Sequence, residues 1–408
     1  MADGSIPGVT AQAHPADSKA QESPSSTFCG DDVVCKVFVN LTSVNPTRSE
    51  LASAKEMAEA EGLLKTALHI INNQKEFQTV RLKGFAEPWS EKDGKIGAIL
   101  DETNATILLA VMKEIDFRRI MYDDIIAVGA GEVTGEQSDK LRLPSGDIID
   151  GYTRGFAGKD HYRMLEELEV YHLPGYLEFR SQLPYTHQNE AAVSGILSTW
   201  GFGNAAFSAG TNRRSIPMIT REALCIDLET LRDSTGVEKY TRRDIIKTDA
   251  DGTNTTWRTV CKTCHTGPLE QWSTAFIYHD VRNQAIVWER TEPVPANNKM
   301  NRIGQASGYV PKNAEWFNDL TDGQKKLIGF EKEVKGGFGA RSLGRALSET
   351  KAFKECQPKK AFSSVCGRTP NEADLPFTNQ LTEEFAKSGF KLKEAFAKSA
   401  IYCAGGTP

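Results

Sequence analysis

The sequence lacks a long hydrophobic run and lacks an excess of basic charge. Its longest apolar stretch, Ile107 to Met112, has six residues, whereas a transmembrane helix needs roughly 18. Lys and Arg number 49 against 54 Asp and Glu, a formal net charge of −5. Nucleic-acid-binding domains show clustered Lys and Arg. The sequence therefore excludes a membrane span and gives no electrostatic reason to expect nucleic acid.

The N-terminus lacks the features of a secretory signal. Residues 1–8 have neither a basic start nor the apolar core of about 7 to 15 residues that a signal peptide carries. Residues 1 to about 27 are rich in Ala, Ser, Pro, Gly and Gln without hydrophobic periodicity. We therefore favour a mature or re-engineered start, the alternative being that the protein is not exported, and we expect a flexible N-terminal tail.

What the sequence does contain is an apolar fraction large enough for packed cores. The 408 residues are 39% hydrophobic, and at roughly 100 to 200 residues per domain this length predicts two or three domains. Apolar residues recur at helical spacing from Thr47 to Asn73 and from Glu102 to Ile115. Thr321 and Asn371 are suited to cap further helices. The β-prone runs Ala275 to Val281 and Ala285 to Trp288 predict a small hairpin.

Two of the eight cysteines form a chemically specific motif. Cys261, Cys264 and His265 have the Cys-x-x-Cys-His spacing typical of c-type haem attachment. Two thiols on one helical turn can add to the two vinyl groups of a haem, and the adjacent imidazole can bind the iron. The sequence therefore predicts one covalent haem c, with Cys261 and Cys264 as attachment residues and His265 as an iron ligand.

Other uses of these cysteines stay open at this stage. A structural zinc site needs four ligands, and no second Cys or His pair at short spacing is visible. A thioredoxin-like redox pair would need a βαβ pattern around the motif, and none is visible either. Plain structural cysteines are the remaining interpretation.

The second axial ligand of the iron is less well defined. We favour Met300, because it follows Pro293 and Pro295 and a Met ligand raises the reduction potential as electron carriers require. Alternatives are an open or otherwise liganded site, or one of three other side chains: Met218, His187 and His279.

The remaining six cysteines suggest disulfides. Cys29 with Cys35 and Cys356 with Cys366 are close in sequence, and we expect the second pair in particular to form a bond, although six cysteines allow fifteen pairings. Disulfides persist in oxidising compartments, and haem is attached to thiols outside the cytoplasm. Both signals predict a periplasmic, extracellular or cell-surface protein.

Several short motifs in order along the chain resemble one protein group. They include Gly195-Ile-Leu-Ser, Thr211-Asn-Arg-Arg, Glu222-Ala-Leu-Cys, the haem motif followed by Pro268-Leu269, Phe353-Lys-Glu-Cys, Cys366-Gly-Arg, Asp374, Phe385-Ala-Lys-Ser-Gly and, upstream, Phe117 to Asp124. This order resembles the planctomycete- and myxobacterial-type cytochrome-like proteins built from several C-terminal domains of unknown function. Gly267 stands where that group commonly has an Asp before the proline.

The resemblance implies an exported, mainly helical protein with a covalent haem and an electron-transfer role. We expect a mainly α, multi-domain fold: a tail at 1–45, a helical domain at 46–185, a cytochrome c-like haem domain at 186–335 and a helical C-terminal domain at 336–408. The predicted function is electron transfer to a redox partner protein, which the slightly acidic charge would bias towards a basic one. The alternatives are a non-catalytic surface or assembly protein and a haem enzyme of peroxidase type.

Overall fold

The computed structural model describes residues 28–91, 98–129, 159–186, 190, 192–207, 211–228, 233–282, 285–291 and 308–408. It is mainly helical with small sheets, which confirms the mainly α expectation. The α-helices are α1 Val33–Thr42, α2 Arg48–Glu61, α3 Leu63–Asn73, α4 Lys83–Ala86, α5 Glu102–Met112, α6 Lys159–Glu167, α7 Leu183–Thr186, α8 Trp200–Ala206, α9 Ser215–Leu224, α10 Lys262–His265, α11 Pro268–Ser273, α12 Asp322–Ile328, α13 Gly339–Ser348, α14 Lys351–Cys366, α15 Leu375–Lys387 and α16 Lys393–Cys403.

Short 3-10 and π-helical turns lie between several of these helices. Among the described residues, π-helical turns lie at Phe77–Leu82 and Trp257–Cys261. The 3-10 turns are Glu87–Trp89, Phe117–Met121, Glu238–Tyr240, Thr274–Phe276 and Glu372–Asp374. The second π-helical turn leads into α10 and carries the first cysteine of the haem motif.

The strands in the described part of the chain form antiparallel pairs. β1 Ile126–Gly129 pairs with β2 Leu177–Arg180, β3 His279–Arg282 with β4 Ala285–Trp288, and β5 Glu315–Phe317 with β6 Gly336–Phe338. In the middle pair His279 lies opposite Trp288. This pair is the hairpin predicted from sequence. It begins later than expected because residues 274–276 form a 3-10 turn instead of a strand.

The helix predicted from Thr47 to Asn73 is split in two. Thr47 and Glu50 form a reciprocal capping box at the start of α2, which satisfies two backbone donors that would otherwise lack partners. Gly62 then ends α2 with a φ of 87° and precedes α3. Only glycine adopts this conformation without strain, so the break is built into the sequence.

Part of the segment predicted as a flexible N-terminal tail is helical. Residues 33–42 fall within the predicted 1–45 segment, yet they form α1 with most of its side chains buried. Asp32 caps this helix by accepting a hydrogen bond from the Cys35 amide at 3.0 Å. A disulfide between Cys29 and Cys35 closes the turn before it.

One hydrophobic cluster contains residues from all three of the predicted domains, 46–185, 186–335 and 336–408. Helix α14 packs against α9 and α16, and α16 also packs against α1 and α3. Phe77 and Phe396 meet edge to face within it, with ring centroids 5.5 Å apart. The C-terminal helices therefore supply much of the core into which the earlier helices pack.

The disulfide predicted between Cys356 and Cys366 is wrong. Both residues lie on α14, where ten residues at 1.5 Å each separate them by about 15 Å, and a disulfide needs Cα atoms within about 7 Å. Cys356 is instead bonded to Cys225 at the end of α9, and Cys366 to Cys403 at the end of α16. The pairing of Cys29 with Cys35 is confirmed.

Among the described helices, not one is long and apolar enough to span a lipid bilayer.

Candidate functional site

The Cys-x-x-Cys-His motif lies on a short, partly exposed helical segment. Trp257 anchors its start: the indole is buried, and the Lys247 ammonium lies 4.9 Å from the ring centroid. The π-helical turn ends at Cys261, and α10 carries Cys264 and His265. The motif residues therefore follow one another on consecutive helical turns.

The two motif cysteines differ from all others in the chain. All eight cysteines lie in the described part of the structure, and six of them are paired in the three disulfides. Cys261 and Cys264 alone are free thiols, and both are partly buried. Val260, directly before them, is 64% exposed, so an apolar side chain at the motif lacks protein cover. These are the features that a thiol-attached apolar group would use.

His265 is held by a carboxylate on the next helix. Its Nδ1 atom lies 2.5 Å from Oε1 of Glu270 on α11, and its carbonyl oxygen accepts a hydrogen bond from the Thr241 hydroxyl at 2.6 Å. Because Glu270 contacts Nδ1, Nε2 is the ring nitrogen that could bind a metal. A histidine that binds a metal commonly uses one ring nitrogen and donates the other to a carboxylate, and His265 has this arrangement.

Glu270 sits at the centre of a buried charge cluster. Its side chain is fully buried, with Arg213 Nε 2.6 Å from Oε1 and Arg242 Nε 3.2 Å from Oε2. Arg213 also forms a two-pronged pair with Asp244, at 2.6 and 2.7 Å. Two arginines and two carboxylates cancel in formal charge. We refer to these four residues, Arg213, Arg242, Asp244 and Glu270, as the Glu270 cluster.

The cluster keeps its members ionised. Burial by itself would raise the pKa of Glu270, but Arg242, His265 and Arg213 outweigh it and hold that pKa below its usual range. Burial lowers the pKa of Arg242 to about 10, with Glu270 opposing the change, so Arg242 is still charged at neutral pH. Arg242 also donates to the Thr211 carbonyl at 3.1 Å and to the Ser273 hydroxyl.

The candidates for the second iron ligand are only partly covered by the structure. Met300 and His187 lie outside the described residues. Met218 is buried on α9. His279 is buried as well, with Nε2 3.1 Å from the Ala192 carbonyl oxygen and its ring against Phe207 and Phe276. The structure thus accounts for His279 as a core residue.

The motif residues meet the requirements of a c-type haem. In the described part of the chain, no group of three or more His, Cys, Asp or Glu is arranged to hold a metal ion. A c-type haem takes only His265 from the motif as an iron ligand, because the thiols bond the porphyrin. One free thiol pair and one oriented imidazole meet that requirement.

Sequence reasoning missed the Glu270 cluster. Arg213 belongs to the Thr211-Asn-Arg-Arg motif, but no role followed from the motif itself. Arg213 and Glu270 are 57 residues apart, and no local pattern signals such a distant contact. Glu270 lies five residues beyond His265 on a largely buried helix, but polar neighbours such as Gln271 and Ser273 gave no sign of that burial in the sequence.

Comparison of the chain with models of protein families, with curated proteins and with solved structures finds no match in any of the three.

Proposed function

We propose that this chain is an extracytoplasmic c-type cytochrome that carries one covalent haem and transfers electrons to a redox partner protein. The observation that carries the proposal is the state of the cysteines. Six are bonded in disulfides, while Cys261 and Cys264 are free beside a histidine whose Nδ1 is already engaged. The resemblance to the planctomycete- and myxobacterial-type cytochrome-like proteins supports the same proposal.

In this proposal the haem supplies a redox-active iron. Cys261 and Cys264 would hold it by thioether bonds, in which each sulfur bonds one carbon of a vinyl group and the thiol hydrogen goes to the other carbon, so that no oxidant is consumed. Nε2 of His265 would bind the iron, and Met300 is the proposed second ligand. Exposed Val260 would offer an apolar contact beside the attachment residues.

The proposed compartment is the periplasm or the cell surface. Three disulfides are compatible with a non-cytoplasmic protein, because such bonds are rare in reducing compartments. Covalent haem attachment takes place in the same oxidising space.

The proposal is tested by exporting the chain in a host with c-type haem maturation and measuring intact mass and reduced-minus-oxidised absorbance. We expect one added haem and sharp c-type bands on reduction. The double variant Cys261→Ala/Cys264→Ala should lose both signals. The matched control, Cys29→Ala/Cys35→Ala, removes two cysteines away from the motif and should keep them. An unmodified mass for the wild-type chain would overturn the proposal.

The same material separates an electron carrier from a haem enzyme. A six-coordinate low-spin spectrum is expected for the carrier, and Met300→Ala should convert it to high spin if Met300 is the second ligand. A high-spin spectrum in the wild-type protein would instead favour a haem enzyme with an open site.

A further inference from the structure

We infer that Glu270 is a positioning residue for His265 and that its buried negative charge lowers the reduction potential of the haem. This inference rests on the proposed function. It goes beyond that proposal because it assigns the control of the potential to one residue outside the Cys-x-x-Cys-His motif.

The geometry fixes both the carboxylate and the ring. Oε1 of Glu270 contacts Nδ1 of His265 at 2.5 Å and Nε of Arg213 at 2.6 Å. Oε2 lies 3.2 Å from both Nη2 of Arg213 and Nε of Arg242. Both oxygens are therefore restrained from several directions, and the carboxylate cannot turn away without leaving two buried arginines short of a partner. The orientation of the imidazole follows from that of the carboxylate.

The electronic effect follows from the kind of acceptor. A carboxylate accepts a stronger hydrogen bond from Nδ1–H than a neutral acceptor does, and this raises the basicity of the ligating nitrogen. A more basic ligand favours the oxidised iron, which carries one more positive charge. Hydrogen bonding of this kind around an axial ligand is one of the means by which a protein sets a haem potential.

The positive charges of Arg213 and Arg242 would by themselves raise the reduction potential, opposite to the effect of Glu270. Arg213 and Arg242 are balanced in formal charge by Asp244 and Glu270. Replacing Glu270 by Gln leaves the cluster with one net positive charge and also weakens the bond to His265. Both changes favour the reduced iron, so the sign of the expected shift is unambiguous.

The test is a potentiometric titration of the haem-loaded protein as wild type, as Glu270→Gln and as the control Glu238→Gln. Glu238 pairs with Lys262 inside the motif at 2.9 Å, is 40% exposed and belongs to no contact with His265 described above. At the wild-type midpoint, we expect the reduced-to-oxidised ratio of Glu270→Gln to rise about tenfold, equivalent to about 59 mV for one electron. Glu238→Gln should stay close to wild type.

The outcomes separate this inference from the proposed function. One haem per chain in all three proteins, with no shift in Glu270→Gln, overturns the inference and leaves the cytochrome proposal standing. An equal shift in Glu238→Gln also overturns it, because the loss of any nearby negative charge would then explain the change in potential. Absence of haem from the wild-type protein overturns both.

A second measurement covers the case in which Glu270→Gln does not fold. In the reduced wild-type protein, nitrogen-15 NMR should show a proton on Nδ1 of His265 that is shifted downfield and exchanges slowly with solvent. An Nδ1 without a proton, or one that exchanges as fast as in an exposed histidine, would overturn the inference without any substitution.

Discussion

Cys225 at the end of α9 is disulfide-bonded to Cys356 in the middle of α14, across 131 residues of chain. Around this bond, the Gln357 side-chain amide donates to the carbonyls of Glu222 and Ala223, and Lys360 pairs with the Glu222 carboxylate. The loop that the disulfide closes contains the whole haem motif. The bond therefore ties that loop to the C-terminal helices at its base.

Removing this disulfide should cost more than removing a short-range one. By the entropy of loop closure, a 131-residue loop corresponds to about 5 kcal/mol and a six-residue loop to about 2 kcal/mol. We expect Cys225→Ser/Cys356→Ser to lower the free energy of unfolding in urea by clearly more than Cys29→Ser/Cys35→Ser does. Equal losses would contradict the assignment, as would a peptide map that does not link Cys225 to Cys356.

Arg242 should be essential for stability. Its side chain is 1% exposed and pairs with fully buried Glu270. Breaking a buried ion pair leaves an uncompensated charge at a cost of about 3 to 5 kcal/mol. We expect Arg242→Met to lose that amount in chemical denaturation. The control is Lys335→Met, because Lys335 pairs with Glu333 while 86% exposed and such pairs contribute roughly 0 to 1 kcal/mol. If both variants lost the same free energy of unfolding, the buried pair would stabilise the protein no more than the exposed pair, and the prediction would be wrong.

Glu102 should make the protein less stable as the pH rises. Burial raises the pKa of Glu102 to about 8, and the neighbouring charge of Asp101 adds to this effect, while the Trp200 and Gly201 amides oppose it. Between its unfolded value of 4.5 and about 8, the folded state keeps a proton that the unfolded state has lost. The stabilisation from Glu102 is therefore fully present below pH 4.5, the pKa in the unfolded chain. As the pH rises from there to about 8, the free energy of unfolding falls by about 1.4 kcal/mol per pH unit.

The corresponding variant is Glu102→Gln, which keeps an oxygen for the Trp200 amide but does not titrate. Urea unfolding at several pH values from 5 to 8 should show a flatter decline for the variant than for wild type. Glu61→Gln, at a 51% exposed position, should retain the wild-type slope. Parallel slopes in wild type and Glu102→Gln would contradict the prediction.

Two helical glycines should respond oppositely to alanine. A Cβ atom at Gly344 on α13 would lie 1.9 Å from the Met121 carbonyl oxygen and 2.8 Å from the Ser194 hydroxyl, so Gly344→Ala should cost about 1 to 3 kcal/mol through overpacking. Gly84 on α4 is exposed, and nothing lies within 4 Å of a Cβ there. Gly84→Ala should therefore be neutral or slightly stabilising in thermal unfolding, because alanine favours helices. If Gly344→Ala left the stability unchanged, the prediction would be wrong, because α13 could then move away from Met121 and Ser194 at no cost.

Local features of this fold were predictable from sequence because their signals lie within a few residues. Thr321 and Asn371 cap helical turns as predicted, each through a side chain that accepts from a backbone amide two or three residues on. The antiparallel pairing of β3 with β4 was predicted from two β-prone runs. Gly62 could have been recognised as a helix break, since glycine in a helical pattern often marks one.

Long-range pairings were not predictable in the same way. Cys356 has a nearer cysteine in sequence than its actual partner, and only the rigid α14 rules that neighbour out. Glu270 contacts Arg213 because α11 packs beside α9, and Arg242 reaches Glu270 from the segment that follows the 3-10 turn Glu238–Tyr240. The packing of these segments depends on the whole core. The Cys-x-x-Cys-His motif indicates where a haem would attach, but the groups that surround His265 come from elsewhere in the chain.

The packing of α16 against α1 has a consequence for synthesis. Asn40 on α1 donates to the carbonyl of Ala400, 360 residues later, and at roughly 5 to 20 residues per second a ribosome needs about 20 to 70 s to make that length. During this time the apolar faces of α1 and α3 have no α16 to cover them. Throughout that interval these faces are available to holding chaperones, and α1 and α3 reach their native contacts with α16 only after α16 has been made.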